Sequence, residues 1–313
     1  MFDWTGKSVL VTGGRGFIGS QIVKKLNALG CDLYTAPHIY YDLRRRKDVE
    51  AAFNVAQPEV VFHMAALVGG IGANKLNPGK YFYDNLIMGL EVMDVARERG
   101  VKKVIQAGTS CEYPANAPQP LNEANLWDGY PDAVTGPYGI AKRALLVQAQ
   151  TYREQYGMNI IHLLPSNVYG PGDNFKPETS HVIPALITKA IAAKANGTDL
   201  SVWGTGKVTR DFIYIDDVAD AFIQAAEVYD KPEPVNIGFG RETSIQVLVQ
   251  AVIRAVGFEG IVNYDVTKPE GKARSWFNTD SAYYDIGFTP TVPLEEGIQR
   301  TVDWYKETNG LSK

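Results

Sequence analysis

The chain has little of what marks a secreted, metal-binding or nucleic-acid-binding protein. Its 313 residues include only two cysteines, Cys31 and Cys111, and four histidines. Neither cysteine belongs to a CxxC pair and the histidines are not clustered. This argues against both a disulfide framework and a metal site, and it fits a reducing cytoplasm. The formal net charge is −4, and the longest basic run is RRRK at 44–47. That run reads as the solvated start of a helix, so no nucleic-acid or anionic-membrane surface is expected. No apolar stretch approaches the roughly 18 residues that a bilayer span needs. The N-terminal MFDWTGKSVLVTGG lacks the charged segment leading into an apolar core that a signal peptide would show.

What is present is alternation. Short β-branched runs, KSVLVT (7–12), EVVFHM (59–64), KKVIQA (102–107) and NIIHLL (159–164), are separated by segments with apolar residues three and four apart, such as 17–30 and 85–100. Gly30 and Gly100 stand where those two helices should stop. The pattern predicts an α/β fold, a Rossmann-like doubly wound sheet of six or seven parallel strands covered on both faces. After Pro165 a loop rich in proline, glycine and polar residues (166–181) precedes a helix from about 182 to 195. Residues 211–227 read as strand then helix, and 234–238 as another strand. The expected division is a dinucleotide-binding domain of 1–170 plus about 211–238, and a smaller discontinuous α/β substrate domain of about 171–210 plus 239–313.

GGRGFIGS (13–20) directly follows the first strand and opens the first helix. Glycines at 13, 16 and 19 suit a tight turn, close approach of a pyrophosphate to main-chain N–H groups, and packing of helix on strand. The second strand, read over 32–43, has no acid near Ala36 to receive a ribose 2′-hydroxyl. Arg15, inside the glycine loop, could instead pair with a 2′-phosphate. NADP(H) is therefore the expected cofactor, with NAD(H) left open because His38 occupies a region where another arginine would strengthen that reading.

Tyr138 and Lys142 stand four residues apart in a helical segment, and so on one face. An ammonium beside a phenol is expected to lower the phenol's pKa and make it a proton carrier. Together with the glycine loop and the Thr-Ser pair at 109–110, this resembles the extended short-chain dehydrogenase/reductase superfamily. More specific strings, HMAALVGGIGANKLNPGKYFYDN (63–85), TSCEYP (109–114), GPYGIAK (136–142), PSNVYGPGDNFKPETSHVIPALI (165–187) and WGTGKVTRDF (203–212), resemble the GDP-L-fucose synthase family.

That resemblance implies epimerisation at C3 and C5 and reduction at C4 of a GDP-4-keto-6-deoxyhexose. A ketone at C4 acidifies the C3 and C5 hydrogens, so inversion needs a base, an acid on the opposite face, and donors for the oxyanion. By resemblance Cys111 and His181 are the acid/base pair, Thr109 and Tyr138 address O4, and Lys142 also holds the nicotinamide ribose. The implied cofactor contacts are Gly13, Arg15, Gly16, Phe17, Ile18, Gly19, Asp42, Leu43, Ala65, Ala66, Leu67, Tyr138, Lys142, Pro165, Asn167, Val168 and His181. Those to the GDP-sugar are Val68, Gly69, Gly70, Ser110, Asn167, Lys189, Trp203, Arg210 and Lys268. Lys189 stands where the family often has arginine, and the segments at 122–136 and 275–280 depart from the pattern, which leaves the sugar open. The alternative is a GDP-hexose or GDP-heptose 3,5-epimerase without net reduction. A homodimer through a four-helix bundle is the implied assembly.

Overall fold

The structure, a computed structural model, describes residues 2–177, 179–268 and 271–311. In chain order the strands are β1 (Ser8–Thr12), β2 (Asp32–Ala36), β3 (Val60–His63), β4 (Lys103–Ala107), β5 (Ile160–Pro165), β6 (Asn167–Tyr169), β7 (Leu200–Trp203), β8 (Thr209–Arg210), β9 (Phe212–Tyr214), β10 (Val235–Ile237), β11 (Thr243–Ser244) and β12 (Val262–Asp265). The α-helices are α1 (Phe17–Ala28), α2 (Arg46–Ala56), α3 (Ile71–Leu76), α4 (Pro78–Glu98), α5 (Gly136–Tyr156), α6 (Val182–Asn196), α7 (Ile215–Val228), α8 (Ile245–Val256) and α9 (Leu294–Thr308).

Six strands form one parallel sheet in the order β10-β5-β4-β3-β1-β2. The β-branched runs of the sequence are its centre: Val9, Leu10, Val11, Val61, Phe62, Val104, Ile105 and Ile161 are fully buried. Helices on both faces explain why these strands are apolar throughout instead of alternating. The order reverses between β1 and β3, so the loops leaving those strands diverge and open a crevice at their carboxyl ends, where doubly wound sheets bind ligands. A further strand read from 234–238 does join the sheet, as β10 beside β5.

A second core lies apart from the sheet, with Ile183, Leu186 and Ile187 of α6 against Leu248, Val249 and Val252 of α8 and Ile298 and Val302 of α9. Short strand pairs, β7 with β12 and β8 with β11, edge this core, and β6 pairs in parallel with β9. Asp211 fastens the two regions. Its buried carboxylate accepts the N–H groups of Phe239, Gly240 and Phe277, while its own carbonyl accepts from Asn167 and its N–H donates to Ser275.

Three sequence expectations change. The second strand ends at Ala36 instead of running to 43, because Pro37 interrupts its hydrogen bonding. The helix ending at Gly100 begins seven residues earlier than read, with Pro78 at its first turn, where no N–H is missed. The basic run at 44–47 is not simply solvated: Arg46 pairs with Glu50 and with Glu91, Asp94 and Glu98 of α4, and Arg44 with Asp42 and Asp84. Among the described residues no helix is long and apolar enough to cross a membrane, and no group of three potential metal-ligating side chains occurs.

Candidate active site

β1 ends at Thr12, and the chain turns at Gly13 with φ +67°. A side chain there would meet the Ala65 nitrogen at 2.7 Å, so the loops after β1 and β3 touch only because Gly13 has no Cβ. Gly16 caps α1 without a side-chain acceptor, which leaves the first-turn N–H groups open to an anion at the positive end of the helix. Beside this cradle, Ala36 supplies no carboxylate to β2. Arg15 and His38 are exposed and make no ion pair among the described residues.

The other cofactor candidates divide by placement. Asp42 is gripped by Arg44, which lowers its pKa to about 2, so its carboxylate is already committed. Leu43 is buried in the core against α2 and α4 and offers only its main chain. Ala65, Ala66 and Leu67 line the crevice; Asn85 fixes them by bonding both the N–H and the carbonyl of Leu67. Phe17 and Ile18 pack against the second core, as does Val168 of β6, and Pro165 closes β5.

The reactive cluster forms where β4 gives way to a single 3₁₀ turn, Ser110–Glu112. Thr109 caps it: its hydroxyl accepts from the Cys111 N–H at 3.3 Å, and its own N–H donates to Glu112 Oε1 at 2.8 Å. α5 lies hard against this turn, since a Cβ on Gly139 would stand 2.0 Å from the Cys111 carbonyl oxygen. That closeness brings Tyr138 beside Thr109, whose hydroxyl works against the rise in the phenol's pKa. One turn on, Lys142 is buried and donates to the Ala107 carbonyl at 2.9 Å.

The electrostatics differ from the sequence expectation. Tyr138 is raised well above the ordinary phenol value, chiefly by burial and then by the neighbouring Cys111 and Glu112. Lys142 does not offset this rise: its ammonium is turned to a main-chain carbonyl and is itself lowered to about 8 by burial, with Glu112 opposing that fall. Tyr138 is therefore a proton donor at neutral pH. The Cys111 thiol is likewise raised, by burial first. Hydrogen bonds from Thr109 and Thr135 and the charge of Lys272 pull the other way.

His181 caps α6 and is 47% exposed at its side chain, with Nδ1 4.0 Å from the buried Asp173 carboxylate; partial desolvation lowers its pKa. The Val68-Gly69-Gly70 loop links it to the cluster. Gly70 N–H donates to the Thr179 carbonyl, Asn74 holds the Gly69 and Gly70 carbonyls, and Tyr81 lies directly beneath Gly69 and edge-on to Tyr138. Val68 itself is exposed.

Of the GDP-sugar candidates, Lys189 and Trp203 are brought together, the ammonium 5.1 Å from the indole ring centre. Trp203 is 56% exposed, which rules out ordinary core packing. Arg210 donates to the carbonyls of Thr209 and Lys272, whereas Lys268 stands exposed on the turn after β12. Asn167 is tied by its amide to the Asp211 carbonyl, and Ser110 is partly buried within the 3₁₀ turn. Sequence reasoning missed Lys272, whose Nζ donates to the Pro114 carbonyl at 3.3 Å and faces Cys111 and Asp132. No local motif marks it, because its neighbours come from a distant part of the chain.

A model of the NAD dependent epimerase/dehydratase family matches residues 9–238. The chain belongs to that family. It is 42% identical to GDP-L-fucose synthase 1 of Arabidopsis thaliana over 97% of this chain and 94% of that one. Among solved structures it is similar to a GDP-L-fucose synthetase from Naegleria fowleri bound to NADP, with TM-score 0.90 and 28% identity over 98% of this chain and 96% of that one. It is also similar to a GDP-6-OMe-4-keto-L-xylo-heptose reductase from C. jejuni, with TM-score 0.91 and 28% identity over 98% and 99%. The glycine-rich turn after β1 and the helix that carries Tyr138 and Lys142 both lie within the matched span.

Proposed function

We propose that this chain is an NADP(H)-dependent nucleotide-sugar epimerase/reductase that inverts C3 and C5 and reduces C4 of a GDP-4-keto-6-deoxyhexose, giving GDP-L-fucose or a close relative. The observation that carries this reading is the thiol of Cys111 on the same short turn that presents Thr109 to Tyr138, because a plain reductase has no use for it. Near-full-length similarity to a GDP-L-fucose synthase supports the substrate class.

The cradle suits the cofactor: it has no Cβ at Gly13, an uncapped α1 start, no acid at Ala36 and an exposed cation at Arg15. NADPH, when bound, supplies the hydride for C4. Thr109 and Tyr138 hydrogen-bond O4. Cys111, as thiolate, takes the proton from C3 or C5, leaving the enolate charge on O4 between those donors, and His181 returns a proton on the opposite face. Tyr138 then gives its proton to O4 as C4 is reduced, while Lys142 holds the neighbouring ribose. Lys189, Arg210 and Lys268 offer charge to the diphosphate and Trp203 a ring to the nucleotide.

In this reading residues 1–170 with 211–238 form the cofactor domain, and 171–210 with 239–313 the substrate domain; the packing of α6 with α8 and α9 supports the second unit, while Ala282, Ile286 and Phe288 pack into the core on the sheet side. The chain works in the cytoplasm as a homodimer through α4 and α5, whose outer faces expose Phe82, Tyr83, Val147 and Tyr156. The test is product NMR from GDP-4-keto-6-deoxymannose and NADPH in D₂O. Deuterium at C3 and C5 with one NADPH oxidised per product is expected. Exchange without NADPH loss makes it an epimerase only, reduction without deuterium makes it a C4 reductase, and no turnover sinks the reading.

A further inference from the structure

Glu112 is fully buried, an unusual place for a carboxylate, and no step above uses it. Both its oxygens lie 3.1 Å from Nε2 of His162 on β5, which is buried as well, and Oε1 also accepts the Thr109 N–H at 2.8 Å. Gly108 makes room for the pair, since a Cβ there would stand 2.6 Å from Glu112 Oε1. Arg143 of α5 donates to the Glu112 carbonyl and so pins the main chain of the same turn. A buried carboxylate held by an imidazole N–H and a main-chain N–H is an expensive arrangement for packing alone, because an apolar pair of similar volume would fill the space at no desolvation cost.

We propose that Glu112 is a positioning residue for the reaction: gripped by His162, it fixes Thr109 through its main-chain N–H and so holds the turn that presents Cys111 beside Tyr138 and Lys142. The inference rests on the catalytic reading above. The titratable groups facing Glu112 are His162 from β5, Tyr138, Lys142 and Arg143 from α5, and Cys111 and Tyr113 from its own turn. Its charge opposes the loss of a proton from each of Cys111, Tyr138 and Lys142, and Lys272 opposes Glu112 only at Cys111. Cys111 acts as a base only as the thiolate, so the negative charge beside it raises the pH at which that form becomes available, and the same charge keeps Lys142 cationic.

The sign of the effect is the same at all three groups: removing the carboxylate's charge lowers each pKa. In the Cys31→Ser background, the midpoint of iodoacetamide alkylation of Cys111 should fall by about one pH unit on Glu112→Gln. The alkaline limb of the NADPH-dependent reduction should fall in the same direction. His162→Leu, which strips the carboxylate of its imidazole partner and frees the turn, should move both in the same way. A folded variant whose alkylation midpoint and alkaline limb stay within 0.2 unit of the parent on the order of measurement error overturns the proposal, as does loss of folding in both variants, which would make the pair structural. The alkylation needs no sugar, so a shifted thiol in a protein that turns over no ketosugar would count against the substrate reading and leave this one standing.

Discussion

Gly139→Ala tests how the reactive cluster is assembled. A methyl group at 139 would sit 2.0 Å from the Cys111 carbonyl oxygen, about 1.4 Å short of ordinary contact. Neither partner can yield by side-chain rotation, because the obstacle is main chain held by the Thr109 cap and by Arg143. The relief is a shift of α5 away from the turn, which carries Tyr138 off Thr109 and Lys142 off the Ala107 carbonyl. Displacement of a reacting group by about 1 Å typically costs on the order of 100-fold in rate, and overpacking of this kind costs about 1–3 kcal/mol in stability. The nucleotide cradle, built from the first turn and the loop after β3, is untouched. Steady-state NADPH oxidation, NADPH binding by fluorescence quenching and a thermal melt should therefore show a kcat loss of roughly 100-fold with cofactor affinity unchanged. Activity within about threefold of the parent in a folded variant would refute the view that this contact sets the geometry of the site.

Four further outcomes follow from the same structure. Lys272→Met removes a cation that faces Cys111, so the thiol pKa rises further and deuterium exchange at neutral pH should slow by about tenfold with C4 reduction spared; an unchanged exchange rate would dismiss Lys272. Burial raises Asp173 to about 7, so between the ordinary carboxyl value and that pH the folded state holds a proton that the unfolded chain has lost. Its contribution to stability is fullest at low pH and is lost as pH rises toward 7; Asp173→Asn should thus raise the melting temperature by about 2–5 °C at pH 8 but not at pH 4, and equal shifts at both would contradict this. Arg15→Ala should weaken NADPH by roughly 10–100-fold in titration while leaving NADH unaffected; equal losses for both would remove the 2′-phosphate role. Val147→Asp with Tyr83→Asp should convert a dimer to a monomer in sedimentation, and a parent that already sediments as a monomer would rule out the α4–α5 interface.

Features with local causes were legible in the sequence. The buried strands announce themselves through β-branched runs, and the glycine turn through its place between strand and helix. Tyr138 and Lys142 share a face because four residues make one helical turn. Features that depend on return of the chain were not legible. Glu112 and His162 stand fifty residues apart and meet only because β4 and β5 are neighbours. Lys272 reaches Pro114 from the far end of the chain. The raised pKa of Tyr138 follows from burial, which spacing alone does not reveal, and the commitment of Asp42 to Arg44 is a contest between two partners that sequence cannot decide.

Asp211 has a consequence for how such an enzyme can change over generations. One carboxylate and its flanking peptide groups tether Asn167, Phe239, Gly240, Ser275 and Phe277, segments far apart in the chain that converge on one anchor. The 275–280 segment can therefore drift in sequence where its side chains face outward, but not in path, because its main chain is moored beside Asn167.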